Sequence, residues 1–455
     1  MRRLTAFGVA AVLVLAACGG DDADDGTEAA PDDEVEAADD EDDAEEPDAA
    51  AGLTFDVGVT EEPCPDGVNP DNGCIYLGTL TDLTGPFAGF GIPLTSAQEA
   101  FWNRVNEEGG IQADGVDQGF DVDVATYNQD TGYDPTEHSR LYEEMKPNIL
   151  ALAQTLGSPT TAAILPDMDA SDLIGVPAAY TSSYNLEEVI LESPANYCIE
   201  AMNGVDYAVE EYGIESVMAV YFPGDYGEDP AGGVMLAAET HGLEFTGVQT
   251  PPGAEQQSEA IGQIVAADPD LVYLSVGPTE AAAIVGGAAQ NGYTGRFIGS
   301  NPTYNVALLD SPAGEAILGL YQVATVFENW STDTPGHQAM RDALGTPDDL
   351  NDGYTIGWIW QYPLKAALEA ALAEGDLTRA GVRAAVTSLE SVDFEGMLPD
   401  SAGNYAGGPD AQPRESLIAS PDPETPTGVT TAQEFFVGPT AEAWEPGICY
   451  ESLNG

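Results

Sequence analysis

From residue 75 to residue 327 the chain alternates two textures. Short apolar runs stand at 75–80 (IYLGTL), 120–127 (FDVDVATY), 148–153 (NILALA), 174–180 (IGVPAAY), 216–222 (SVMAVYF), 270–276 (DLVYLSV), 296–300 (RFIGS) and 321–327 (YQVATVF). Between them lie segments with helical spacing, at 93–108, 134–146, 159–170, 200–212, 229–241, 255–267 and 278–291. Strand-length apolar runs that alternate with helices predict parallel sheets covered by helices on both faces. Two longer helices are predicted at 350–374 and 378–389, before an irregular tail rich in Pro and Gly. The roughly 400 residues beyond residue 52 suggest two or three domains, and the total length suggests two such lobes. The expected fold class is therefore α/β, with two doubly wound parallel-sheet lobes. In open sheets of this kind ligands bind beyond the carboxyl ends of the strands, so the residues after each run are where function is sought.

The first 52 residues differ. Arg2 and Arg3 precede a mostly apolar stretch, Leu4 to Ala17, shorter than the roughly 20 residues that span a bilayer. It reads as a targeting signal rather than a membrane helix. Its ending, Leu15-Ala16-Ala17-Cys18, resembles the bacterial lipobox. That resemblance implies cleavage after residue 17 and lipid on Cys18; the simpler alternative is a plain secretion signal. Residues 19–52 carry 17 Asp or Glu and no Lys or Arg. Such a segment cannot offset its ordering entropy by burial, and its charges repel. Residues 18–52 are expected to form an extended acidic tether, followed by a lead-in loop at 53–72.

The net charge is −68, and the tether does not explain it. Beyond residue 52 there remain 62 acidic and nine basic residues, with only two lysines, Lys146 and Lys365. A surface so acidic repels nucleic acid and anionic membrane, and it suits work in high salt, where charge is screened. Four cysteines follow Cys18, and an even number outside the cell suggests disulfides. Cys64 and Cys74 bound a turn-rich loop, PCPDGVNPDNGC, and are paired for that reason. Elimination leaves Cys198 with Cys449, which would pin the C-terminal tail to the body.

Signals for catalysis are scarce. His138, His241 and His337 stand far apart, outside any HExxH or CxxC context, and read as surface residues. No GxSxG elbow and no P-loop occurs, and GFGIPL (89–94) lacks the third glycine of a dinucleotide fingerprint. DGVDQGFDVD (114–123) lacks the spacing and closing glutamate of a calcium loop and reads as a turn before a strand. No metal, no cofactor and no enzymatic activity are expected.

What recurs is polar, uncharged turn chemistry after strands. After 148–153 comes QTLGSPTTAAI, where Ser158 suits an N-cap and Pro159 a first helical position. Free N–H groups and the helix dipole there favour a carboxylate or another acceptor. TSSY, PGDYGED and NPTY follow three further strands. Each alone is an ordinary turn; together they predict a small-molecule cleft.

The order of these segments resembles the bacterial solute receptors of the leucine/isoleucine/valine-binding type that serve ABC importers, the periplasmic-binding-protein type I family. The residues that carry the likeness are LGTLTDLTGPFAGFGIPLTSAQEAFWNRVNEEGGI (77–111), LGSPTTAAI (156–164), GDYGED (224–229), DPDLVYLSVGPTEAAAIVGGAAQNGY (268–293), YTIGWIWQYPLKAALEAAL (354–372) and DFEGMLPDSAGNY (393–405). The resemblance implies two lobes joined by a three-crossing hinge: 73–196 with 322–392, and 197–321 with 393–455. It implies capture of a small polar molecule (an amino acid, an amide or a small carboxylic acid) by closure of the lobes, and delivery to a membrane permease.

The resemblance also assigns contacts. Ser158 and Thr160 match the loop that receives the ligand's polar head, Ser182 and Tyr184 a second contact turn, Phe90 and Tyr226 aromatics from opposite lobes. Amino-acid binders of this type place an acid near position 301; here Asn301, Thr303 and Tyr304 stand instead, which suits a neutral amide, a carboxylic acid or an aromatic acid. Two other readings are a ligand-sensing extracellular domain of the same fold and a secreted hydrolase. The missing nucleophile and base motifs argue against the hydrolase.

Overall fold

The central strands form where residues are buried on both sides. The computed structural model describes residues 53–454. β1 (Thr54–Phe55) and β2 (Val59–Thr60) precede β3 (Gly73–Thr81), β4 (Phe120–Asp130), β5 (Ala151–Leu156) and β6 (Gly175–Ala178). β5 is buried along its whole length, and β3 at all but Tyr76, as expected of strands inside a doubly covered sheet. β3 pairs in parallel with β4 and β5, and β5 with β6, while β2 adds two antiparallel residues.

The second sheet contains β7 (Ser216–Tyr221), β8 (Glu244–Gln249), β9 (Leu271–Ser275), β10 (Arg296–Gly299) and β11 (Tyr321–Thr325). These five run parallel in the order β8-β7-β9-β10-β11. β12 (Asp376–Leu377) pairs with β1, and β13 (Ser416–Pro421) and β14 (Val429–Phe436) continue the second sheet antiparallel beyond β11. The chain is thus α/β with two mainly parallel sheets. The leader at 1–17, the tether at 18–52 and lipidation at Cys18 fall outside the described residues.

Several local expectations are corrected, each for a physical reason. The helix expected at 159–170 is two helices, Ser158–Ala162 and Leu165–Ala170, and the one expected at 350–374 contains Gly353–Ile359 and Tyr362–Ala373. Pro166 and Pro363 stand at the start of the second helix in each case. Proline lacks the N–H, and its ring collides with the carbonyl four residues back. The second break leaves Trp360 and Gln361 between helices.

The expected lobe boundaries also move. β11 pairs with β10 in the second sheet, so residues 322–325, expected with the segments of the first sheet, stand in the second. Residues 393–405 stay with the helices of the first sheet. Arg104 donates two N–H bonds to Glu395 (2.9 and 2.8 Å), and Tyr362 O–H donates to the same carboxylate (2.9 Å). Phe394, Met397 and Leu398 are buried in that core, and pairing with the second sheet resumes only at β13.

Both disulfides form, Cys64–Cys74 and Cys198–Cys449. The loop closed by the first wraps Asp121, whose oxygens accept the N–H groups of Val68 and Asn69 and the side-chain amides of Asn69 and Asn72. The stretch 114–123 therefore serves a turn and a strand. The histidines are not the surface residues expected. His138 and His337 are fully buried on the inner sides of their helices, and burial pushes both imidazoles down to about 4. His241 pairs with Asp206 at 2.6 Å. Among the described residues there is no cluster of three or more possible metal ligands, and no helix long and apolar enough to cross a membrane.

Candidate functional site

Strand ends from both sheets meet at one cleft. After β3 the buried Asp82 carboxylate accepts the N–H groups of Gly85 (2.5 Å) and Phe87 (2.7 Å), which folds the turn tightly. The helix that follows, Ala88–Glu107, begins five residues earlier than its apolar spacing predicts. It passes so close to this turn that a Cβ on Gly91 would lie 1.9 Å from the Asp82 carbonyl oxygen. The result brings Phe87 and Phe90 to the cleft. After β5, Gly157 adopts φ +99, and a Cβ there would lie 2.4 Å from the Tyr133 ring. A left-handed, Cβ-free residue is what allows Ser158 to enter the cleft beside Tyr133.

The opposite wall comes from the second sheet. Tyr226 stands in the first turn of the helix after β7, and Asn301 follows β10. Tyr197, at the start of the helix Tyr197–Tyr212, and Trp360, from the proline-induced break, complete the lining. The inner pocket has a volume of about 50 Å³ and adjoins an outer chamber of about 830 Å³. Phe87, Phe90, Tyr133 and Tyr226 line both and form an aromatic collar between them. Behind the collar, ring contacts run from Tyr226 to Tyr197 (5.2 Å), Tyr180 (3.8 Å), Phe327 (5.9 Å) and Trp360 (5.7 Å).

The inner pocket is electrically quiet. None of the residues lining it is Asp, Glu, Lys, Arg or His. Burial pushes the phenols of Tyr180, Tyr197 and Tyr226 far above their ordinary range. Two lining residues hold buried polar atoms without a hydrogen-bond partner, Ser158 Oγ and Trp360 Nε1–H. Thr325 O–H donates to Asn301 Oδ1 (3.0 Å), which leaves the Asn301 Nδ2 donors for an occupant. One acid, Glu280, borders the outer chamber, where it accepts the Gly253 N–H (2.7 Å) and the Thr279 O–H (2.9 Å).

Of the nine contacts expected from the sequence, the structure brings four to this pocket: Phe90, Ser158, Tyr226 and Asn301. The other five turn away. Thr160 O–H donates to the carbonyls of Leu156 and Gly157. Ser182 gives its N–H and O–H to Asp229 and accepts the Cys449 N–H (2.8 Å). Tyr184 O–H leans on the Gly157 and Ser158 carbonyls (3.5 and 3.4 Å). Thr303 bonds Ser300 O and Tyr321 Oη, and Tyr304 donates to Gly428 O beside a small flanking cavity. Short hydroxyl side chains at strand ends find nearby backbone partners first, so a hydroxyl-rich turn is poor evidence of a solute contact.

Sequence reading missed Phe87, Tyr133, Tyr180, Tyr197 and Trp360. Tyr180 ended an expected strand, and Pro363 was the available signal that a helix would open beside Trp360. Replacing Ser158 with alanine removes a hydroxyl that has no partner in the fold. The expected outcome is unchanged unfolding stability with solute affinity lowered about tenfold, near 1.4 kcal/mol. Calorimetric titration beside a denaturant melt checks both, and a loss of stability without loss of affinity contradicts the assignment.

The model of the periplasmic binding protein family matches residues 75–415. Among solved structures, the chain is similar to a fatty acid ABC transporter substrate-binding protein from Thermomonospora curvata, at 28% identity over 87% of this chain and 98% of that one, with a TM-score of 0.77. It shares its fold with an ABC transporter substrate-binding protein from Aeropyrum pernix (19% identity, 83% and 98% covered, TM-score 0.71). It shares it also with a branched-chain amino acid ABC transporter protein from Thermus thermophilus with bound valine (18% identity, 82% and 98% covered, TM-score 0.70). No curated protein matches the chain.

Proposed function

Because this chain belongs to the periplasmic binding protein family, whose members are non-enzymatic solute receptors of ABC transporters, we propose that it captures a solute with an apolar or aromatic body and a single polar head. The observation that carries this is the aromatic pocket without a charged side chain, set beside a larger chamber with which it shares Phe87, Phe90, Tyr133 and Tyr226. The chamber is walled mainly by apolar side chains, among them Pro86, Pro159, Phe222 and Leu308. Its volume falls in the range that holds a ligand larger than a free amino acid.

A zwitterionic amino acid is the poorer fit. Its ammonium and carboxylate both need strong partners once water is removed, and the inner pocket offers Ser158 Oγ, Trp360 Nε1–H and Asn301 amide donors instead. An acyl or aryl chain suits the collar, and the fatty acid receptor from Thermomonospora curvata, to which the chain is similar, supports that choice. The head enters the inner pocket, the chain lies across the collar, and closure of the two sheets over it removes it from water. The loaded form delivers its solute to a membrane permease.

The same reading places the receptor outside the membrane, held by lipid on Cys18 at the end of the acidic tether. The excess of acid on the body supports service in high salt. The test is direct: denature the purified protein, extract what it carries and identify it by mass spectrometry. About one apolar-bodied molecule per chain is expected; recovery of a free amino acid overturns the choice of solute.

A further inference from the structure

We propose that Glu200 is the positioning residue of the solute pocket, a single carboxyl that ties the strand ends of both sheets together around the ligand. Glu200 lies in the helix Tyr197–Tyr212, one turn beyond the pocket residue Tyr197, and is fully buried. Its Oε1 accepts the Asn301 backbone N–H (3.0 Å) and the Tyr180 O–H (3.3 Å), and its Oε2 accepts the Ser300 O–H (2.8 Å). Tyr180 follows β6 of the first sheet, whereas Ser300 and Asn301 follow β10 of the second. Two of these three residues, Tyr180 and Asn301, line the inner pocket. Glu200 itself does not line it, so it acts through them.

Five buried phenols face this carboxyl, Tyr180, Tyr197, Tyr226, Tyr273 and Tyr321, from five different segments. Each is itself buried and held neutral, so none supplies a positive charge. Burial therefore pushes the Glu200 carboxyl up to about 8, against the lowering pull of its three hydrogen-bond donors. At neutral pH it carries a proton. The Asn301 N–H can only donate and the carbonyl oxygen of a neutral carboxyl is its better acceptor, so the proton is assigned to Oε2. There it is donated to Ser300 Oγ, whose hydroxyl reverses to accept it. When the proton leaves, an unpaired charge is buried at the junction of the two sheets.

The sign follows from linkage. The folded form keeps the proton between the ordinary value of 4.5 and about 8, where the unfolded chain has lost it. The contribution of Glu200 to stability is therefore greatest below 4.5, falls as pH rises through that window, and is level above it. Solute grip declines over the upper part of the same window, to the extent that closure buries the group.

The test uses the mature chain and dansylated undecanoic acid, a fluorescent acyl-chain probe whose own carboxylate does not titrate between pH 7 and pH 9.5. For the wild type, the dissociation constant of the probe is expected to rise about tenfold over that interval. Glu200→Gln, which keeps the shape and cannot ionise, is expected to change less than about twofold. Ser300→Ala removes a donor to the charged form and is expected to move the midpoint of the profile upward, which a merely structural contact would not do. Infrared difference spectra of the wild type should show a protonated carboxyl band that vanishes on raising the pH and is absent from Glu200→Gln. Equal pH profiles in wild type and Glu200→Gln, or no such band, overturn the proposal. If the probe binds no variant, the acyl-chain reading fails, and the infrared band with the pH dependence of unfolding decides the role of Glu200 alone.

Discussion

Tyr226→Ala is expected to weaken solute binding about 100-fold, close to 2.7 kcal/mol. Tyr226 is one of four aromatics shared by the inner pocket and the outer chamber, and it is the one that the second sheet contributes. Its ring stands 5.2 Å from Tyr197, and its hydroxyl is fixed by donation to Val276 O (3.0 Å). The ring therefore meets an entering chain without first having to be ordered. Removing it exposes one side of the solute to water and empties the second sheet's half of the collar, the kind of central aromatic loss that dominates binding energies. Tyr226→Phe keeps the ring and is expected to stay within about threefold, because it gives up only the hydrogen bonds of the hydroxyl, among them those with Val276 O and Ser300. Tyr304→Phe is the control from the unused group: it loses the bond to Gly428 O and should cost about 1 kcal/mol of stability with affinity unchanged. Calorimetric titration with the solute extracted from the protein measures all three affinities, and a denaturant melt the stability of Tyr304→Phe. An unaltered affinity in Tyr226→Ala removes the collar from the binding site.

The second large effect is expected at the long disulfide. Cys198→Ser with Cys449→Ser should lower unfolding stability by about 4 kcal/mol, against about 2–3 kcal/mol for Cys64→Ser with Cys74→Ser. The difference rests on loop length. The first bridge joins residues 251 apart and the second residues 10 apart, so the first removes more freedom from the unfolded chain. The long bridge has a further consequence near the cleft. The Cys449 N–H donates to Ser182 Oγ, and Ser182, after β6, holds the buried Asp229 of the helix after β7. Freeing the tail loosens a contact between the two sheets, so solute affinity should fall together with stability. Removing the short bridge, which closes only the lead-in loop around Asp121, should leave affinity as it was. Denaturant melts and titrations of the two double variants separate the cases; equal losses from both would contradict the account.

Much of the architecture was legible because burial on both faces leaves a local mark. β3, β5, β7, β9 and β10 are mostly buried and each contains a short apolar run that was readable without a partner in view. β8 was not. Its sequence, EFTGVQ, is mostly exposed at the edge of the sheet, so it carries little of the apolar signal on which the reading relied. β13 and β14 lie in a tail full of turn residues and pair antiparallel with each other and with β11. The pocket was legible in part for a similar reason. Glycine-bearing turns after strands pointed to the right loops, but the choice between a hydroxyl that meets solute and one that caps its own turn depends on distances that no spacing encodes. Ser158 and Thr160, two residues apart, divide in that way.

The amino-acid sequence by itself determined the α/β class and the two mainly parallel sheets, because both follow from apolar periodicity along the chain; turn chemistry and elimination only suggested the pairing of the cysteines and the sheet edge at which a solute is sought. Only the tertiary structure decided the character of the cleft. Phe87, Tyr133, Tyr180, Tyr197, Tyr226 and Trp360 come from six separate segments, and the carboxyl behind them reaches across both sheets. Their convergence replaces an expected set of hydroxyl contacts with an aromatic, uncharged pocket. The physical reason is that contact between residues hundreds of positions apart is set by how two packed sheets face each other, and no local pattern in the chain records that.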